Sequence, residues 1–333
     1  MHRPKPQPMV GIVRVDMVNA VQPERDDGHD DADDVQSPEV TEQQGVALLQ
    51  LSFQRLDTLT GRADQARVAP TTSLAGDDRA TPYAPLSSQV NSAIAVATDH
   101  LMGLRVAIED SNWKIMTFAW WTLIRSAYES CGNALWLMSP RQRDTRVLRS
   151  LQITHDSRRS VNKVMLELGR DDPGFDRMNA RMIELRDARP GNFGKSLKPD
   201  FLTSRLREIS PLVPNAFETP VALWMLSSGM AHGNSAMFLN LLERKRLTLP
   251  VNGTSEHRLT TSVGVLAMFY TAALDMIEVA LELFDERNCP LIGQKTPTWV
   301  EWSHLALAPE IAGLLDLPEH PVRLLRRAES NGA

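Results

Sequence analysis

From Gly45 to about Asp64, the apolar residues Val46, Leu49, Phe53, Leu56 and Leu59 recur at spacings of three and four, which predicts an amphipathic helix. Residues 66–88 break this rhythm with three prolines among small polar residues and read as a linker or surface loop. Beyond them the helical period returns again and again. It predicts elements at roughly 89–110, 114–138, 141–169, 174–187, 199–209, 219–243 and 258–286, with shorter helices at 307–315 and 320–329. The boundaries are punctuated: Ser139-Pro140 separates two helices, Asp172-Pro173-Gly174 two more, and Thr219-Pro220 has the cap-then-proline form of a helix start. No run alternates persuasively at period two. The segment MVGIVRVDMV looks like a short strand, but the rest of the chain offers it no obvious partner.

The expected fold class is therefore all-α, a multi-helix bundle over residues 89–333. Residues 45–88 precede it as a helix and linker, behind a disordered acidic tail at 1–44. Residues 21–44 (VQPERDDGHDDADDVQSPEVTEQQ) contain no aromatic residue and too little apolar surface to offset the entropy of ordering.

Charge sharpens this division. Residues 1–45 carry ten acids against four bases, so of the net −5 the remaining chain holds +1. Arginine outnumbers lysine by 29 to 7, which fits a high-GC coding bias better than a general affinity for nucleic acid. The first residues lead into no apolar core of signal-peptide length, and the long apolar stretches are interrupted by Arg125 and Glu129 or by Asp275 and Glu278. A cytoplasmic protein with no membrane contact is expected. The two cysteines, Cys131 and Cys289, lie far apart in no metal-binding spacing, and HExxH, GxxxxGK[ST], GxGxxG and GxSxG are all missing. Neither a metal site nor a cofactor is expected.

Four constellations could carry chemistry. On the apolar helix at 114–138, Arg125, Glu129 and Asn133 follow one another at i, i+4 and share one face, either as a polar seam that fixes helix register or as a ligand or catalytic seam. In LWMLSSGMAHGNSAMFLNLL, Ser228 and His232 share a face beside Gly229 and Gly233, glycines that imply a close backbone approach or a break in the helix. The expectation is that Arg125, Glu129 and His232 meet in one buried cluster, with Ser228 and Asn133 as ligand-binding neighbours. The helix PRQRDTRVLRSLQITHDSRRSVNK is basic enough to track a phosphate backbone or to be a solvated face, and it contains Arg149 and His155. Thr271, Asp275, Glu278, Glu282 and Asp285 trace what reads as the solvated face of the last long helix.

The stretches LIRSAYESCGNALWLMSPRQRDTRVLRSLQ and LWMLSSGMAHG resemble a group of uncharacterised helical proteins of high-GC bacteria. More remotely, the pattern is similar to the HEPN superfamily of helical bundles, which includes toxin and defence ribonucleases with an Arg-x(4–6)-His motif. The likeness covers about 115–155 and 222–235, less than a quarter of the chain. It implies metal-independent RNA cleavage by a homodimer, with Arg149 and His155 at the motif spacing; many superfamily members are non-catalytic. Two functions stay open. One is a helical interaction or ligand-binding module, with a protein partner, in bacterial stress or phage defence. The other is a ribonuclease in which Arg149 or Arg125 holds phosphate and His155 or His232 moves the proton.

Overall fold

The computed structural model describes residues 7–8, 11–16, 41–214, 218–247 and 254–289. Among these the chain is predominantly helical, with ten α-helices and little strand, the expected all-α class. Residues 17–40, most of the acidic tail, and the expected helices at 307–315 and 320–329 lie outside the described residues.

Helix α1 (Glu42–Gln65) opens on a reciprocal cap: Thr41 Oγ1 accepts from the Gln44 amide while the Gln44 side chain accepts from the Thr41 amide at 2.9 Å. Its apolar stripe, Leu48, Leu49, Phe53, Leu56 and Leu59, joins the main core. The expected linker contains a helix, α2 (Ser73–Ala80), capped by Thr72 and buried through Leu74 and Asp77. Eight residues are two turns, too few for an apolar period to declare itself. Leu74 and Leu86 also belong to the main core, so residues 45–88 are part of the bundle.

Helix α3 (Leu86–Asp110) ends where Asn112 and Trp113 take left-handed conformations, φ 56° and 63°. Lys114–Ile115 is then extended, and α4 spans Ala119–Met138, five residues later than the periodicity predicts. Helix α4 is the hub. It packs on α3, on α10 (Val263–Arg287) and, through its polar side, on α7 (Leu202–Ile209) and α8 (Pro220–Ala231). Two buried tyrosines tie down neighbouring backbone: Tyr128 donates to Phe269 O and Tyr270 to Leu101 O. By length and apolarity α10 could cross a membrane, but 78% of its most apolar window is buried inside the bundle.

The expected helix 219–243 is broken. Helix α8 stops at Ala231, Gly233 turns back at φ +75°, and α9 (Ser235–Leu241) folds against α8, where a Cβ at Gly229 would lie 2.6 Å from Met237 Cγ. The two glycines therefore serve a break and a close contact together.

The lone strand has a partner after all. Gly11–Asp16 (β2) pairs antiparallel with Thr254–Thr260 (β5), which pairs antiparallel with Glu243–Arg246 (β4), Val13 lying opposite His257. Two-residue strands, β1 (Gln7–Pro8) and β3 (Lys114–Ile115), pair in parallel. Along β5 and the residue after it, the buried positions His257, Leu259 and Thr261 alternate with more exposed ones. Only one of those three is a large apolar residue, so the period-two signal is faint.

Helices α5 (Arg143–Glu167) and α6 (Phe175–Asp187) form a hairpin around a small second core of Val147, Leu151, Met182 and Leu197. Beyond Ser157 most side chains of α5 are exposed, so its last turns overhang the bundle as an arm.

Candidate functional site

The polar seam of α4 faces α7 and α8. Glu129 Oε1 forms an ion pair with Arg125 Nη2 at 2.7 Å and accepts from Trp224 Nε1 at 3.0 Å, and Asn133 Oδ1 accepts from Arg205 Nη1. Arg125 and Glu129 retain 26% and 29% of their side-chain exposure, so the pair lines a half-open seam. Burial holds Arg205 below the usual arginine range, against the opposing pull of Asp156, Asp200 and Glu129.

His232 does not complete this cluster. It is exposed at the C-cap of α8, its amide donating to Ser228 O at 3.0 Å, and among the described residues no hydrogen bond or ion pair joins it to Arg125 or Glu129. The Trp224 indole takes the place expected for the imidazole. Ser228 is half-buried and contributes a backbone carbonyl to the cap. Trp224 carried a readable signal, an indole N–H in an apolar helix that needs an acceptor.

Arg149 and His155 also stay apart in role. Arg149 donates to Trp136 O at 2.7 Å, to Ser139 Oγ at 3.2 Å and to Glu208 Oε1 at 2.5 Å, with its guanidinium 4.5 Å from the centre of the Trp136 ring. Trp136 Nε1 donates to Glu208 Oε2, so one carboxylate clamps both groups and joins α4, α5 and α7. Six residues at about 100° each leave Arg149 and His155 roughly 120° apart around the helix axis. His155 is half-buried; burial, then Arg159, push its pKa down, with Asp156 opposing.

The basic helix divides in two. Arg146 is 2% exposed and Asp77 fully buried. Arg146 Nε and Nη2 donate to the two Asp77 oxygens at 2.7 and 3.1 Å, Nη1 donates to Pro140 O and Arg141 O, and Nη2 also donates to Ser73 Oγ. Arg143 adds a bond to Asp77 at 3.2 Å. Half of the supposed phosphate track is thus structural, and its anchor sits in the segment expected to be a linker. Arg159 and Lys163 lie exposed on the arm.

Most of the acidic stripe of α10 is covered rather than solvated, while Asp285 at its end stays 60% exposed. Arg55 of α1, 10% exposed, pairs with both Asp275 and Glu278; Ser52 and Thr271 share a buried hydrogen bond at 2.8 Å; and Arg62 pairs with Asp285. The stripe is the polar half of the α1–α10 interface. Burial, reinforced by Glu278, raises the Glu282 pKa. Burial also pushes the Cys131 thiol up. No three His, Cys, Asp or Glu side chains among the described residues stand together as a metal site.

Comparison with protein-family models, with curated proteins and with solved structures found no match to this chain.

Proposed function

We propose that this protein is a helical interaction module that docks a protein partner, in the cytoplasm, through the arm formed by α5, α6 and the segment that follows them. One observation carries the reading. Of the twelve large hydrophobic side chains exposed among the described residues, seven lie between Val161 and Phe201: Val161, Val164, Leu166, Leu168, Ile183, Phe193 and Phe201. Single exposed apolar residues need no explanation, but a concentration on one projecting element does. Phe193 and Phe201 are 73% and 74% exposed, on a segment held along α5 by Asn192 to Asp144 O and by Gln152 to Ser196 O. Aromatic side chains presented on an anchored segment suit the centre of a protein interface.

The ribonuclease alternative draws less support. Arg149 is engaged within the fold, and among the described residues no arginine is hydrogen-bonded to His155 or His232. The test is site-specific photo-crosslinking in extract of the native host, with the probe at position 164 or 201 and, as control, at exposed Val96 on α3. The reading expects discrete adducts from the arm positions only. Equal labelling from all three positions would refute it.

A further inference from the structure

A cleft of about 370 Å³ opens where the end of α2, the first turn of α5 and the end of α6 meet. Ala80, Leu185, Ala188 and Pro190 give it an apolar lining, and Arg79, Asp144 and Arg189 give it a charged rim. Arg189 donates to Asp144, so these two cancel. Arg79 is left over: among the described residues its guanidinium reaches only Pro70 O, at 3.4 Å, and no carboxylate pairs with it. The acids nearest to it in the chain are engaged elsewhere. Asp77 is held by Arg143 and Arg146, and Asp78 accepts from the amide and hydroxyl of Ser87 at 2.9 and 2.7 Å. Behind the wall, Arg143 and Arg146 both pair with the one buried Asp77.

The geometry points to a binding site for a small hydrophobic monocarboxylate, its carboxylate on the Arg79 guanidinium and its hydrocarbon part against Leu185, Ala188 and Pro190. A planar guanidinium offers a carboxylate two parallel N–H donors. A single unpaired cation matches one negative charge, while Asp144 on the rim disfavours a second. The volume falls in the low part of the range for small-molecule sites, roughly 300–1,000 Å³, enough for one ring or a branched chain. The cleft shares α5, α6 and the following segment with the docking arm, but it uses none of the exposed apolar side chains assigned to docking, and its test does not depend on them.

The test measures binding to the full chain, by calorimetry and ligand-observed NMR at constant ionic strength, of benzoate, its uncharged isostere benzamide, and inorganic phosphate. Benzoate is expected to bind saturably and about tenfold or more tighter than benzamide, the worth of one charge-assisted hydrogen-bonded contact. Arg79→Gln should reduce benzoate to the benzamide level and leave benzamide unchanged, and Ala188→Glu should abolish both. Both positions lie at the surface, and an unchanged melting temperature without ligand checks that each variant folds. Equal binding of benzoate and benzamide, phosphate as tight as benzoate, an unaltered Arg79→Gln variant, or no saturable benzoate binding would each overturn the assignment.

Discussion

Arg146 holds Asp77 through both Nε and Nη2, and neither side chain is more than 2% exposed. Removing one member of such a pair leaves an uncompensated buried charge. Asp77→Ala should therefore cost about 3–5 kcal/mol of stability, more than any single exposed ion pair in the molecule. Urea unfolding of the two variants separates this from a loose surface contact: Arg146→Met should be comparably damaging alone, whereas the double replacement Asp77→Leu with Arg146→Met should recover much of the loss. A loss below about 1 kcal/mol for Asp77→Ala would mean the pair is not closed in solution.

Arg55 pairs with both Asp275 and Glu278 across the α1–α10 interface. Arg55→Leu should destabilise the fold by about 2–4 kcal/mol, with early loss of hydrogen-exchange protection in α1. If the acidic stripe were solvated, the same change would cost no more than about 0.5 kcal/mol.

Glu282 supplies a pH dependence with a definite sign. Its pKa is raised in the folded state, so the folded form binds its proton more tightly than the unfolded chain does. That contribution to stability is present below the unfolded value of about 4.3 and is lost as pH rises through the folded value. Chemical denaturation across this window should show the wild type falling in stability relative to Glu282→Gln as pH increases. Parallel curves for the two proteins would remove Glu282 as the source.

Much of the fold was open to reading from the pattern alone, because long helices repeat their apolar period often enough to be recognised. Helix α4 is the clear case: the i, i+4 spacing puts Arg125, Glu129 and Asn133 on one face, and that face is the half-open seam toward α7 and α8. Their partners were not legible. Whether Trp224 or His232 reaches Glu129 depends on where α8 stops, and the turn at Gly233 moved the histidine out to solvent. Helix α2 stayed hidden for a related reason, since its burial rests on one leucine and on an aspartate whose partner, Arg146, looked like part of a basic surface. Likewise, the acids of α10 looked solvated because their covering cation, Arg55, lies some 220 residues earlier in the chain.

The histidines and Arg149 should separate cleanly by stability. Arg149→Ala loses the clamp on Trp136 and Glu208 and should cost about 1–3 kcal/mol, while His232→Ala at its exposed cap should fall within about 0.5 kcal/mol of wild type. A labelled RNA incubated with excess protein in EDTA is expected to remain intact with the wild type and with Arg149→Ala, His155→Ala and His232→Ala. Cleavage by the wild type that His155→Ala abolishes would restore the ribonuclease reading.

The pairing of Val13 with His257 sets an order of events. Strand β2 precedes all ten described helices in the chain, and its partner β5 follows nine of them. Helix α1 waits longer still, because α10 is the last of the described helices to be synthesised. The two ends of the described chain therefore meet late, across the most non-local contacts in the fold, which slows closure relative to the locally connected helices between them. Until then the side of α1 that meets α10 and the backbone edge of β2 lack their native cover, which leaves the nascent chain open to wrong pairing before α10 emerges.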